Sequence, residues 1–336
     1  MATLRDRLPA LPRVRLFDGP SPLHRMDRLG EALGGRVDVW IKREDLLPLA
    51  FGGNKLRNLE FHLGAARAAG ADSIVTSGRR WSNHCRLTAA AGARAGLAVH
   101  LVLSGPPIDP PGPNEVLDRL LGATVEVTTS SDRAERAAAV DAAAARLAAA
   151  GRRPYVIPVG GSGVAGVIGQ VDAALEVAEQ AAVAPGEDGT APISFDALVL
   201  PSATGGTQAG LLAGLRFAGL ETAVEGIAVA APSAELRPVV ARLLGEATGL
   251  LGIDVPDDEI RIDDRWIGAG YGRPSAAATA AAGLAARTEG IIVDPIYTAK
   301  ALAGLVDGIR GGRWDGGRVL FWHAGGTPGV FEPLDP

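Results

Sequence analysis

Short apolar runs recur along this chain, and longer segments with helical spacing separate them. Val37 to Lys42, Ser73 to Thr76, Val99 to Leu103, Thr124 to Val127 and Tyr155 to Ile157 read as strands. So do Ala197 to Leu200, Gly226 to Ala230 and Val319 to Trp322. Predicted helices cover 54–69, 82–95, 114–121, 134–150 and a stretch from the glycine cluster at 160–169 to about 182. Strands alternating with helices of this length pair through crossovers, which makes the sheets parallel and puts helices on both faces. The fold class is therefore α/β, with open, twisted, mostly parallel sheets. A chain of 336 residues exceeds what one core usually holds, so two domains are expected. The glycine-rich stretches near 52 and near 160 are the natural crossings between them. Two loops interrupt the pattern, a Pro-rich turn over 105–113 and a Pro/Gly/acidic loop over 184–192.

Composition narrows the partners. A net charge of -5 gives no electrostatic reason to expect nucleic acid or an anionic membrane. Cys85 is the only cysteine, so no internal disulfide forms and a reducing compartment fits. No stretch is long and apolar enough for a membrane span, and the N-terminus lacks the apolar core of a signal peptide. A soluble, cytoplasmic protein is expected. Five scattered histidines and one cysteine argue against a structural zinc site.

Chemistry concentrates at a few junctions. In Gly52-Gly53-Asn54-Lys55 a lysine follows two glycines, which let backbone approach a ligand, and Asn54, a helix-cap residue type. Lys55 is either a solvated turn lysine or an amine fixed in a cleft. A desolvated amine loses its proton more easily and forms a Schiff base with an aldehyde. Thr204-Gly205-Gly206-Thr207-Gln208-Ala209-Gly210 joins a strand to a helix start. Free N–H groups, the helix dipole and threonine hydroxyls there suit a phosphate. The run lacks the Walker lysine and the dinucleotide glycine spacing, so a phosphate monoester fits better than a nucleotide. A tight turn relieved by glycine is the bland alternative.

Ser82-Asn83-His84 follows the turn Ser77-Gly78-Arg79-Arg80-Trp81. One of Ser82 and Asn83 is expected to cap a helix, whose start also suits a substrate carboxylate. His84 reads as a base, a hydrogen-bonding support or, first of the three, a surface residue, and Cys85 as a small packed side chain rather than a nucleophile. Tyr271 and Tyr297 lie in glycine- or proline-flanked segments, as lid residues or as acid–base groups once their pKa is lowered. His323-Ala324-Gly325-Gly326-Thr327-Pro328-Gly329 follows the last strand, at a carboxyl end where open α/β sheets bind ligands.

Taken in order, GGNK, SNH, TGGTQAG, DPIY and HAGGTPG resemble the 1-aminocyclopropane-1-carboxylate deaminase / D-cysteine desulfhydrase family, from about Pro22 to Phe331. The resemblance implies a tryptophan synthase β-subunit-like fold and pyridoxal 5'-phosphate (PLP) as cofactor, carried by Lys55. It implies that Asn54, Asn83, Thr204, Gly205, Gly206, Thr207 and Thr298 surround the cofactor. Ser82, Tyr271 and Tyr297 would join Lys55 in catalysis. Trp81, His84, Ala324 and Gly325 would line the substrate side, along with Ser82 and Asn83. The implied domains are 1–55 with 166–336, and an inserted smaller one over 56–165, with the cofactor between them. The implied activity is D-cysteine desulfhydrase-like β-elimination from a small amino acid, giving pyruvate, ammonia and the leaving group. Ring opening of the cyclopropane, β-replacement in a biosynthetic pathway and a regulatory PLP-binding protein are the alternatives. A homodimer is also implied.

Several positions depart from the family. Thr298 stands where the deaminases carry Glu, so a neutral group would face the pyridine nitrogen, and His84 follows the desulfhydrase pattern; both point away from ring opening. Ala324 replaces Thr or Leu. Asn58 replaces a lysine that helps neutralise the phosphate. Arg79-Arg80-Trp81 replaces small and Gln-type residues, and the arginines are either solvated or bind a second anionic group on the substrate.

Overall fold

The computed structural model describes residues 4–8, 10–106, 108–130, 132–184 and 192–334. Most of the Pro/Gly/acidic loop expected over 184–192, and one residue of the Pro-rich turn, lie outside those residues. In chain order the first half runs β1 (Leu23–Arg25), α1 (Asp27–Ala32), β2 (Asp38–Arg43), α2 (Lys55–Ala68), β3 (Ser73–Arg79), α3 (Asn83–Ala95), β4 (Ala98–Ser104), α4 (Pro113–Leu120), β5 (Thr124–Thr128), α5 (Arg133–Ala149) and β6 (Pro154–Val156). The second half runs α6 (Val164–Val183), β7 (Ala197–Ser202), α7 (Gly206–Phe217), β8 (Ala223–Ala228), α8 (Ser233–Leu251), β9 (Arg261–Asp263), α9 (Ala276–Glu289), α10 (Thr298–Arg310) and β10 (Arg318–His323).

Two sheets result. One has the order β5-β4-β3-β6 and is parallel throughout. The other has the order β1-β2-β10-β7-β8-β9, parallel except for the β1–β2 pair. The central strands are buried on both faces, which is why they read as continuous apolar runs; Ala197 to Leu200 are fully buried. Strands β1 and β9 escape the sequence reading because each has three residues and neither has an apolar run. They cover sheet edges, where short polar strands are usual.

Sequence reading places a loop of glycines over 160–169, but α6 already starts at Val164 and takes in Gly166 and Gly169. The glycines serve helix contact rather than a turn. A Cβ on Gly169 would sit 2.2 Å from the carbonyl oxygen of Arg57 in α2, and one on Gly210 would sit 2.5 Å from the Val167 carbonyl oxygen. Helices α2, α6 and α7 thus pack backbone to backbone. Arg57, buried in α2, adds an ion-pair network with Glu44 and Glu176, and Glu176 also binds Lys42. Removing one member of so buried a set would leave an uncompensated charge. The network fixes α2 from behind, and Lys55 is the first residue of α2.

Candidate active site

A cavity of about 650 Å³ opens where strand ends from both sheets meet helix starts. Lys55, Ser82, Asn83, His84, Thr204 and Thr207 line it. Asn54, Gly205, Tyr271, Tyr297, Thr298, Ala324 and Gly325 do so as well. One cavity thus gathers side chains from six separated segments of the chain. Trp81 and Gly206 stand outside the wall. Trp81 packs edge-on against Tyr271, with ring centroids 5.9 Å apart, and so backs the cavity instead of lining it. Gly206 lies against Ser162, whose Oγ would be 2.8 Å from an added Cβ.

The lysine turn is built differently from its sequence expectation. Asn54 occupies the cap position of α2 in helical geometry, and its side chain caps nothing. Its Nδ2 donates to Thr207 Oγ1 at 2.9 Å, its backbone N–H donates to Ala324 O at 2.9 Å, and its carbonyl accepts from Gln170 Nε2 at 2.9 Å. Three motifs are tied together by this one residue. Glycines 52 and 53 serve close approach of the chain to itself. Gly52 adopts φ +64°, and a Cβ there would lie 2.1 Å from Asp45 O. A Cβ on Gly325 would lie 2.5 Å from Gly53 Cα.

Lys55 emerges from this turn half-buried, and its amine has no hydrogen-bond or ion-pair partner among the described residues. Burial lowers its pKa to about 8. The functional reading of this lysine needs an accessible amine that gives up its proton readily, and a pKa near 8 at the cavity wall suits that role.

Across the cavity, Gly205 bends the β7–α7 junction at φ +78°. The first backbone N–H to close in α7 is that of Ala209, onto Gly205 O at 3.0 Å, so the preceding amides are the open donors of a helix start. Ser162, unmarked in the sequence reading, hydrogen-bonds Thr204 Oγ1 at 2.6 Å. Asn58 is fully buried and holds the same loop, donating to Gly161 O at 3.0 Å while accepting from Gln170 Nε2. It spends its amide on structure and brings no charge to the helix start.

Ser82 caps α3, accepting from the Cys85 amide at 3.2 Å, and its own hydroxyl proton stays available. Asn83 Oδ1 accepts from Arg86 at 2.9 Å, which leaves Nδ2 as the donor. Arg86, fully buried and missed from sequence, also donates to Asn114 Oδ1 at 2.7 Å and to Gly52 O at 3.1 Å. It locks the α3 start to the lysine turn. No local pattern marks it, because its partners lie up to 34 positions away.

His84 is buried at 3 % exposure, against its expected surface position. Thr76 Oγ1 gives its proton to Ile157 O at 2.8 Å, so it accepts from His84 Nε2 at 2.9 Å. Nδ1 is left without a partner, and burial holds the ring well below its usual pKa. His84 is a neutral imidazole. Cys85 is fully buried and its thiol pKa is raised by burial, in keeping with a packed side chain. Ser77 to Arg79 continue β3 and leave only Arg80-Trp81 as the turn, because β4 pairs with them to Ser104.

The two tyrosine hydroxyls hydrogen-bond each other. Burial raises both pKa values, Tyr297 well above the usual phenol, opposite to the lowering expected for an acid–base tyrosine. Both stay protonated through neutral pH. Tyr297 is set by Asp294, whose carboxylate accepts the amides of Ile296, Tyr297 and Thr298 at 3.0, 2.7 and 3.0 Å. The Asp-Pro step before a helix start is a signal that would have found it. Thr298 Oγ1 donates to Gly325 O at 3.0 Å, so it faces the cavity with lone pairs only.

An α/β fold with a desolvated lysine facing an open helix start defines the class, and comparison agrees. A family model described as pyridoxal-phosphate dependent enzyme matches residues 14–325, and the chain belongs to that family. It is 39% identical over 334 residues to the D-cysteine desulfhydrase of Yersinia enterocolitica, covering 98% of both chains. It is 38% identical over 331 residues to that of Salmonella choleraesuis, covering 96% of this chain and 97% of the relative. A crystal structure of an ACC deaminase homologue superposes with TM-score 0.89 at 35% identity, covering 98% of this chain and 97% of that one. A pyridoxal 5'-phosphate-dependent aspartate racemase, at TM-score 0.65 and 14% identity, shares the fold.

Proposed function

We propose that this enzyme is a PLP-dependent lyase that eliminates a β-substituent from a small amino acid, with D-cysteine, the substrate named in its relatives, as the reference substrate. The carrying observation is the unpaired Lys55 amine, with its pKa near 8, in one cavity with the open start of α7. The residues present fit the cofactor on their own chemistry. Lys55 would hold the aldehyde. The amides of Gly205, Gly206 and Thr207, with the Thr204 hydroxyl, would hold the phosphate. Asn58 adds no cation there, so dipoles and hydroxyls would bear that load.

When bound, the pyridine ring supplies a sink for the electron pair released at Cα. Asn83 Nδ2, aimed by Arg86, is the donor available to the ring's phenolic oxygen, and Thr298 offers an acceptor beside Gly325. The Ser82 hydroxyl and the α3 start would receive the substrate carboxylate. Lys55 Nζ, neutral in a large fraction of molecules near pH 8, would take the Cα proton. In the tyrosine pair one hydroxyl donates to the other, which leaves one phenolic proton to give on the leaving-group side. For cysteine the atoms balance as cysteine plus water giving pyruvate, ammonium and hydrogen sulfide.

The separate sheets support a division into 1–55 with 166–336 and an inserted 56–165. Exposed Leu120 and Phe331, on adjoining elements, support a homodimer through that face. Among the described residues no helix is long and apolar enough to cross a membrane, which accords with a cytoplasmic enzyme. Keto-acid release from D- and L-cysteine, β-chloroalanine and 1-aminocyclopropane-1-carboxylate tests the reading. Pyruvate from a cysteine enantiomer and little 2-oxobutanoate from the cyclopropane are expected. Fast 2-oxobutanoate formation would favour ring opening instead.

A further inference from the structure

Two arginines in the cavity wall make no ion pair with a described residue, although the exposed Asp132 at the α5 cap lies within reach of the Arg136 charge. Arg79 ends β3, and its register partner in β4 is Ser104. Arg136, in the first turns of α5, donates from Nη1 to Ser104 Oγ at 3.1 Å. Both residues therefore sit at one strand end, both line the cavity, and the Arg136 guanidinium feels the Arg79 charge. Neither makes an ion pair with a described residue. Arg80 differs: it is buried and paired with Glu115 at 2.5 Å, so the adjacent arginines in the sequence are not the functional pair.

The acids of the cavity wall, Asp141 and Glu235, are exposed, and Glu235 faces the exposed Arg133 at 3.9 Å. Burial and then the Arg79 charge lower the Arg136 pKa, and Tyr271 feels both cations. Like charges held together out of bulk water cost free energy unless an anion joins them. Guanidinium forks match oxyanions with paired hydrogen bonds.

We propose that Arg79 and Arg136 form a subsite for an oxyanion at the end of the substrate side chain, so that β-sulfonate or β-phosphate amino acids are preferred over neutral ones. This rests on the β-elimination reading above. With cysteate, the Cα–H proton is removed and the Cβ–S bond breaks, its electron pair leaving with sulfite. Hydrolysis of the resulting enamine completes the balance: cysteate plus water gives pyruvate, ammonium and hydrogen sulfite.

The test compares the holoenzyme with its Arg79→Gln and Arg136→Gln variants. The substrates are both enantiomers of cysteate, with β-chloroalanine as the neutral reference. The ratio of kcat/KM for cysteate over β-chloroalanine should exceed about 10 in the native enzyme and fall roughly tenfold or more in each variant, as loss of a charge-assisted hydrogen bond implies. Calorimetry should show cysteate binding that weakens in the variants and with added salt. Turnover of β-chloroalanine without turnover of cysteate, or a ratio unmoved by Arg79→Gln, would overturn the subsite. Keto acid from neither substrate would sink the elimination reading instead. The calorimetric arm then decides the subsite, since heat unchanged in both variants would overturn it and heat lost in them would uphold it.

Discussion

Replacing Lys55 with Met in the cofactor-free protein removes an amine that its surroundings penalise whenever it is charged. Burial takes its pKa from 10.5 to about 8. Each pKa unit corresponds to about 1.36 kcal/mol, which bounds the penalty near roughly 3 kcal/mol. Lys55 is half-buried and lines an open cavity, which leaves about 1–2 kcal/mol after solvent screening. The sign follows from proton binding. The unfolded chain keeps this proton to about pH 10.4, while the folded chain releases it near 8. Between those values the unfolded state binds more protons, so native stability rises with pH. The penalty is whole below pH 8 and gone near the unfolded value. Lys55→Met should therefore raise the urea midpoint of the cofactor-free protein at pH 7, and the gain should shrink towards zero by about pH 10.5. Denaturation curves at pH 7, 9 and 10.5 measure it. A variant no more stable at pH 7, or a gain that stays constant with pH, would refute the argument that burial tunes this amine.

Other outcomes follow from single contacts. Asn54→Ala breaks the bond to Thr207 and should weaken PLP affinity about fivefold, as loss of one hydrogen bond near 1 kcal/mol implies, by absorbance titration. Gly325→Ala puts a Cβ 2.5 Å from Gly53 Cα and should cost about 1–3 kcal/mol in a denaturant curve, with the cofactor held less tightly. Tyr297→Phe leaves the Tyr271 hydroxyl without its partner and should lower kcat more than KM. Because burial raises both phenol pKa values, no tyrosine should add a basic limb to the native pH–rate profile below about pH 10.

The central strands were legible because strands buried on both faces announce themselves as apolar runs. The lysine turn and the Thr204–Thr207 junction were legible because glycine, hydroxyl and helix start coincide there. Ser82 was readable as a cap for the same local reason. What was hidden depends on contacts between distant residues. Asn54 looks like a cap, yet its backbone is helical and its amide donates across the cavity to Thr207 of α7. His84 follows a cap and reads as exposed until Thr76 of β3, its own proton given to the 157 carbonyl, accepts from its ring. Arg79 and Arg80 look like a pair, but strand pairing turns one to the cavity and Glu115 takes the other. Gly166 and Gly169 read as loop because only α2 and the Gly161 carbonyl, packed against them, show why a helix should carry glycine.

The most direct test traps the lysine. Borohydride reduction of the purified holoenzyme, followed by proteolysis and mass spectrometry, should place the pyridoxyl phosphate adduct on the peptide carrying Lys55. The Lys55→Ala protein should carry none and should lose the visible absorption of the Schiff base. An adduct on another lysine such as Lys42 or Lys300, or an unchanged spectrum in the variant, would contradict the account.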